Sequence, residues 1–406
     1  MTHSILDTDL YKFTTSYAYM KLFPDAECTF TYVDRNKRPR DEEFVKALKH
    51  MLSDLSLIHL TEEECQWAIN NIPFIPAHYW EWLKTFRYEP SKINIYLDDE
   101  KVLHMDVTDK CYKASLYEIP CLFSVPEVVN YDIPNRITGN SLPIDWDATI
   151  KKLTYKVALA NLNGILFSEF GTRRRFSYEV QDRICAYLKE NAKTCVGTSN
   201  VHFAMKYNMK PIGTHPHEWF MFHGAQFGYK NANYLALEDW VNVYDGNLGI
   251  ALSDTYTSDV FFRNFSLKQA KLFDGVRQDS GDEYEFIAKT LNFYKSNGID
   301  PTTKTIVFSN ALTFPKAFEI MNACKGKIRC SFGIGTNLTC DVVNPNGDNY
   351  GYENQVMKMT RCRMNTSQPW YECIKISDDL GKHLGSDKEV NHAMYELELI
   401  NKLLEI

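Results

Sequence analysis

The sequence predicts an α/β protein whose parallel strands close into an α/β barrel or lie in a large open sheet, preceded by a mixed α+β segment. Three observations predict it. From about residue 144 short apolar runs recur, ending at Phe170, Val196, Gly213, Leu252, Val276, Phe308 and Phe332, with helical stretches between most of them. That alternation sets parallel strands side by side, in a closed barrel or a large open sheet. Each run is followed by a loop of small, hydroxylic or charged residues, as at the carboxyl end of a barrel, where chemistry gathers. The rhythm then stops, and the end of the chain returns to strand-like segments like those near its start. The expected divisions are residues 1–140, 141–345 and 346–406. A chain of 406 residues is longer than one core usually serves.

The elements follow in order. Residues 29–33 and 93–97 alternate as strands do. Residues 42–57 carry Phe44, Val45, Leu48, Met51, Leu52 and Leu55 at helical spacing. Thr61 and Glu64 form a capping box for the next helix. In the barrel region helices are expected over 174–190, 229–240 and 282–296, the last capped by Asp282. Residues 355–360 and 370–376 read as late strands that rejoin the first domain.

Composition excludes several classes. With 44% hydrophobic and 24% charged residues the chain has the make-up of a globular, water-soluble protein. The net charge of −7 disfavours nucleic acid, which wants a basic face. No apolar run approaches the roughly 18 residues of a membrane span, and the first residues lack the basic flank and apolar core of a signal peptide. The eleven cysteines are odd in number and scattered, with no Cys-x-x-Cys pair. They read as reduced thiols of a cytoplasmic protein.

The densest chemistry lies at Gly213-Thr214-His215-Pro216-His217-Glu218-Trp219, with His223 just beyond. His215 and His217, two apart, would share one face of a strand as metal ligands of a barrel hydrolase. Alternatively one histidine is a nucleophile for a phosphoryl group, or the segment is a polar loop. Gly333-Ile334-Gly335-Thr336 suits a monophosphate through close backbone approach and a hydroxyl, or is an ordinary turn. Asp254, Asp279 and Asp282 can bind ribose hydroxyls, hold Mg²⁺ or cap helices. Arg277 can bind a small carboxylate through its planar fork, or pair with Asp279. Two basic clusters, Arg35-Asn36-Lys37-Arg38-Pro39-Arg40 and Arg173-Arg174-Arg175, stand out in this acidic chain. Local clustering against a negative background favours a compact polyanion such as a diphosphate over a merely solvated face.

Taken together, these residues carry a resemblance. Leu6-Asp7-Thr8-Asp9-Leu10-Tyr11-Lys12, Glu169-Phe170-Gly171-Thr172-Arg173-Arg174-Arg175-Phe176-Ser177, Gly197-Thr198-Ser199-Asn200, Gly213-Thr214 through His217-Glu218-Trp219, Asp279-Ser280-Gly281-Asp282 and Phe332-Gly333-Ile334-Gly335-Thr336 occur in the order and spacing of the nicotinate phosphoribosyltransferase family. Ser377-Asp378 with Gly381-Lys382 resembles its late motif. The resemblance implies a type II phosphoribosyltransferase, an irregular α/β barrel with a smaller α+β domain built from the N- and C-terminal segments, that makes nicotinate mononucleotide and diphosphate from nicotinate and 5-phosphoribosyl 1-diphosphate in NAD salvage. ATP is the implied co-substrate, and Mg²⁺ is implied on the diphosphate. A homodimer with active sites shared between subunits is also implied.

Position by position, the resemblance makes His217 the histidine that takes phosphate from ATP. Glu218 would orient its imidazole or cap the helix that follows. Tyr11, from the partner subunit, and Phe170 would sandwich the pyridine ring. Arg277, Thr214 and Ser199 would bind the nicotinate carboxylate. Gly335 and Thr336 would hold the 5-phosphate, Asp279 the ribose hydroxyls, and Arg35 and Arg173 the diphosphate. Related nicotinamide-specific enzymes carry an acidic residue where Ser199 stands, so serine favours the acid over the amide. Asn310 departs from the family's pattern, in which many relatives carry aspartate. The competing hydrolase on His215-x-His217 would need more ligands on later strands, and no histidine follows His223 until His383.

Overall fold

The computed structural model describes residues 4–213, 215–379 and 383–399. Two sheets organise them, their strands numbered in chain order. β1 (Glu27–Asp34), β2 (Ile93–Leu97) and β3 (Leu103–Lys110) come first. Six short strands follow: β4 (Phe167–Glu169), β5 (Cys195–Thr198), β6 (Ile250–Leu252), β7 (Gly275–Gln278), β8 (Thr305–Phe308) and β9 (Arg329–Ile334). β10 (Gln355–Arg363) and β11 (Tyr371–Glu372) complete the series.

The smaller sheet is antiparallel, in the order β11-β10-β1-β3-β2, so both chain ends build it. β1 lies at its centre with Cys28, Phe30 and Tyr32 turned inward, as a two-residue period requires. Helix Cys111–Glu127 packs beside β1 and β3 and is buried on nearly every side. A helix apolar all round belongs inside a protein rather than on its surface, and this one forms the floor beneath the site described below.

The larger sheet is parallel, in the order β5-β4-β9-β8-β7-β6. Its first and last strands, β4 and β9, are neighbours, which is the cyclic order of a barrel. The strand expected before Gly213 shrinks to one parallel bridge between Thr198 and Pro211. Proline has no N–H to continue a ladder. Among the described residues no ladder joins that segment to β6, so the ring is irregular there. Helices His217–Phe227 and Tyr229–Tyr244 occupy the interval.

Local signals held in detail. Thr61 and Glu64 form the capping box, and Asp282 accepts the amides of Tyr284 and Glu285 ahead of helix Glu283–Ser296. The helix expected over 174–190 starts instead at Tyr178, capped by Ser177, because residues 172–174 form a tight 3₁₀ turn. Where β4 meets β9, a Cβ on Gly335 would stand 2.8 Å from the Phe170 carbonyl oxygen. A Cβ on Gly171 would stand 2.2 Å from Thr339 Oγ1. Only glycine lets these two loops come so close.

Candidate active site

Apart from the histidine segment and the first basic cluster, the loops singled out in the sequence leave the carboxyl ends of strands of the parallel sheet. Phe170 and Arg173 follow β4, Ser199 follows β5, and Asp254 and Thr255 follow β6. Asp279 follows β7, Ser309 follows β8, and Gly335 and Thr336 follow β9. His217 is the first residue of its helix. The smaller domain adds Arg35 after β1, Tyr11 near the start of helix Leu10–Leu22, and Lys375 after β11.

His217 is the hub, partly exposed with both ring nitrogens engaged. Nδ1 lies 2.9 Å from Thr255 Oγ1, and Nε2 lies 3.1 Å from Asp279 Oδ2 and 3.0 Å from Lys375 Nζ. Asp254 Oδ1 stands 3.7 Å from Nε2. One nitrogen cannot donate to Asp279 and accept from Lys375 at once, so the two tautomers compete. Desolvation and then the Lys375 ammonium lower the imidazole pKa, against the pull of Asp254 and Asp279. The result favours a neutral ring with one unprotonated nitrogen, the form that can attack a phosphorus atom once that nitrogen gives up its donor.

Asp279 joins this hub to Arg277. Its Oδ1 accepts from Arg277 Nη2 at 3.1 Å and from Ser309 Oγ at 2.6 Å, while Arg277 Nε donates to Ser309 Oγ at 2.9 Å. Burial would raise the Asp279 carboxyl, but Arg277, His217 and Lys375 together hold it well below the usual carboxylate range. Both readings of Arg277 survive: it is paired with Asp279, and it stays partly exposed at the rim.

The basic clusters divide. Arg173 and Arg35 are exposed, both sense Asp279, and Arg35 also senses Arg173. Desolvation and then Arg173 lower the Arg35 pKa. Two like charges brought together this way favour an anion nearby. Arg174 is half-buried, its pKa pushed down to about 10 by burial and by Arg173. Arg175 is fully buried, its two terminal nitrogens on Asp7 at 2.8 and 2.9 Å. Arg38 and Arg40 both bind Glu353. The polyanion reading therefore narrows to Arg35 and Arg173, and the remaining arginines pair within the chain.

Several expectations are corrected. Glu218 does not orient the imidazole: its carboxylate turns inward, accepting from Lys12 Nζ at 2.5 Å and Ser115 Oγ at 2.6 Å. Ser199 is buried and donates to Asp9 Oδ1 at 2.6 Å, so its hydroxyl is already committed. The expected reach of Tyr11 into the partner's site is untouched by these contacts: its backbone lies beside its own Gly213, just after Leu10 N donates to the Ser199 carbonyl at 2.7 Å. His215 is wholly buried edge-on to Phe220 and Trp240. Burial and then Arg277 push its pKa to about 3. It shares no face with His217, so the paired-ligand hydrolase fails. His223 likewise is held by Asp239 and the Trp219 carbonyl. Thr214 and the Gly381-Lys382 part of the late motif lie outside the described residues. Phe170, Gly335 and Thr336 are half-buried along the β4–β9 seam, with the Phe170 ring against Gly333.

His217, Asp254 and Asp279 offer ligand atoms within 4.8 Å of one another. A resident Mg²⁺ does not fit them, because the Lys375 ammonium already stands beside His217 and 3.7 Å from Asp254 Oδ2. Mg²⁺ also prefers an octahedron of oxygens to an imidazole.

Comparison with known proteins settles the family. Residues 165–398 match the nicotinate phosphoribosyltransferase (NAPRTase) family, and residues 6–126 match its N-terminal domain. A nicotinate phosphoribosyltransferase of Chromohalobacter salexigens is 42% identical over 401 residues, covering 98% of this chain and 99% of that one. The chain belongs to the nicotinate phosphoribosyltransferase family. The crystal structure of the Porphyromonas gingivalis nicotinate phosphoribosyltransferase aligns with a TM-score of 0.93 at 43% identity, covering 98% of this chain and 100% of that one. That from Vibrio cholerae aligns at 0.88 and 30% identity, covering 99% and 97%.

Two residues of this family member escaped the sequence reading. Lys375 was visible as one lysine inside the apolar run Cys373-Ile374-Lys375-Ile376, where a charge must have a partner. Lys12 was quoted within a motif but given no role, although the helix around it is buried along most of its length. No helix of the described residues is long and apolar enough to cross a membrane.

Proposed function

We propose that this chain transfers phosphoribose from 5-phosphoribosyl 1-diphosphate to nicotinate, yielding nicotinate mononucleotide and diphosphate for NAD salvage. The pyridine nitrogen attacks C1 of the ribose as the C1–oxygen bond to diphosphate breaks. That step is chiefly positioning, with little proton transfer. Tyr11 and Phe170 align the ring, and Arg277 faces the carboxylate. Asp279 faces the ribose, and Gly335 and Thr336 face the 5-phosphate. Arg35 and Arg173 offset charge on the departing diphosphate. Mg²⁺ arrives on the diphosphate as part of the substrate.

The observation that carries the ATP-dependent part is the His217 imidazole, favoured in its neutral form at the same rim as Arg277 and Asp279. A ring nitrogen attacks the γ-phosphorus of ATP, ADP leaves, and water later cleaves the phosphohistidine, so that hydrolysis is coupled to transfer. The working unit is a cytoplasmic homodimer. Incubation with γ-labelled ATP is expected to give acid-labile label on the protein that disappears in His217→Ala. Absent label, or label that survives the substitution, sinks the intermediate.

One observation favours nicotinamide as a second substrate. The acid that Ser199 lacks stands one hydrogen bond away in Asp9, whose carboxyl is raised by burial. Product analysis with both pyridines decides, and predominant nicotinate use is expected.

A further inference from the structure

The first turn of helix His217–Phe227 carries charge on two sides. His217 faces the rim, while Glu218 points inward to Lys12 and Ser115. Lys12 has no exposed surface, and its ammonium is paired with Glu118 as well. Ser115 and Glu118 both belong to the buried helix Cys111–Glu127. The same ammonium lies 5.1 Å from the centre of the Tyr11 ring and 5.0 Å from that of Phe30, within the range of cation–π attraction. Tyr19 Oη donates to the Glu218 carbonyl at 3.3 Å. One lysine therefore ties together the helix that bears Tyr11, the buried floor, and the helix that begins at His217.

Packing alone gives little reason for this arrangement. Well-packed apolar residues of similar volume often hold a core at least as well as a buried ion pair does. What the charges add is direction. Both carboxylates point to one cation, and that cation adjoins the Tyr11 ring on one side and the residue after His217 on the other.

We propose that Lys12 is a positioning residue that couples His217 to Tyr11, so that phosphorylation of the histidine sets the aromatic wall of the pyridine site. The proposal rests on the reading of His217 as phosphoryl acceptor. A phosphoryl group brings up to about two negative charges to the first turn of the helix, one residue from Glu218. Any shift of that turn moves the Glu218 carboxylate, whose two oxygens are held by Lys12 and Ser115. Lys12 transmits the shift to the Tyr11 ring and, through the chain, to the start of its helix. The route is a contiguous set of contacts, and the coupling it predicts is a change in nicotinate affinity on phosphorylation.

The experiment compares the nicotinate KM with and without ATP in wild type, Lys12→Arg and Lys12→Met/Glu218→Gln, after confirming label from γ-labelled ATP on His217. In wild type the ratio of the two KM values is expected to be about fivefold or more, the usual lower size of such linkages. In the double variant labelling persists while the ratio falls towards one, and Lys12→Arg, which keeps the charge, retains part of it. A wild-type ratio of one, or an undiminished ratio in the double variant, overturns the proposal. If the double variant does not fold, Ser115→Ala removes only one hydrogen bond from Glu218 and is read the same way: a smaller ratio supports the coupling, an unchanged one overturns it. Unlabelled wild type defeats the His217 reading and this proposal together. Labelled protein with an intact ratio defeats this proposal alone.

Discussion

Two ion-pair networks begin on loops at the same end of the parallel sheet and behave oppositely. Around Arg175 the charges are sealed: both oxygens of Asp7 are taken by the guanidinium, and Asn200 adds a third donor at 2.7 Å. Around Asp279 the groups are partly exposed and compete, with one imidazole nitrogen facing both a donor and an acceptor. A closed network fixes structure, whereas a contested one changes partners when a ligand arrives. The difference separates neighbours in sequence, since Arg173 belongs to the open side and Arg175 to the sealed one.

The largest expected effect is on the sealed side. Arg175→Met leaves the Asp7 carboxylate buried without its partner, a loss of about 3–5 kcal/mol for pairs of this kind. Denaturant unfolding measures it, and the nicotinate KM of the folded fraction should hold. Unchanged stability with a raised KM would erase the distinction between the two networks.

On the open side, Arg277→Lys keeps the charge but loses the planar fork. A hydrogen bond to a charged group contributes about 1.5–3 kcal/mol, so the nicotinate KM should rise about tenfold to a hundredfold. The KM of phosphoribosyl diphosphate should change far less, and equal effects on both would move Arg277 to the ribose or diphosphate.

Ser199 tests the border between the networks. Its hydroxyl serves Asp9, so Ser199→Ala should lower stability by about 1 kcal/mol with little change in nicotinate KM. A raised KM at unchanged stability would return Ser199 to the substrate.

The open network was the more legible in sequence, because its members follow consecutive strands and each lies on a loop whose composition is unusual by itself. Arg277 and Asp279 are two residues apart, and the Asp282 cap and the Thr61–Glu64 box are local as well. The sealed contacts join residues far apart in the chain. Arg175 meets Asp7 across 168 positions, Ser199 meets Asp9 across 190, and Lys12 meets Glu218 across 206. Nothing in Arg173-Arg174-Arg175 says which guanidinium turns inward until the 3₁₀ turn and Asp7 are placed. Lys375 reaches His217 from the other domain, 158 positions away, so the histidine cluster could be found from its own segment but not the cation that shapes it. The barrel's irregularity was hidden for a local reason: Pro211 sits in an apolar run that otherwise reads as a strand.

Lys375→Met gives the finest test, because it changes one competitor at the contested nitrogen. His217 in the folded chain titrates below its ordinary value near 6.5, through desolvation and then Lys375. A depressed pKa favours the neutral ring, so its contribution to stability is complete above about 6.5 and is lost as the pH falls through the folded value. Labelling from γ-labelled ATP should accordingly persist in wild type at pH values where an ordinary histidine is already protonated. Without the ammonium, Asp254 and Asp279 remain as the charged groups beside the ring, and both favour the imidazolium. The acid limb of labelling should then move to higher pH in Lys375→Met, and the acid-side loss of stability should shift with it. An acid limb that stays in place would mean that desolvation alone keeps His217 neutral and that Lys375 acts only on the incoming phosphate.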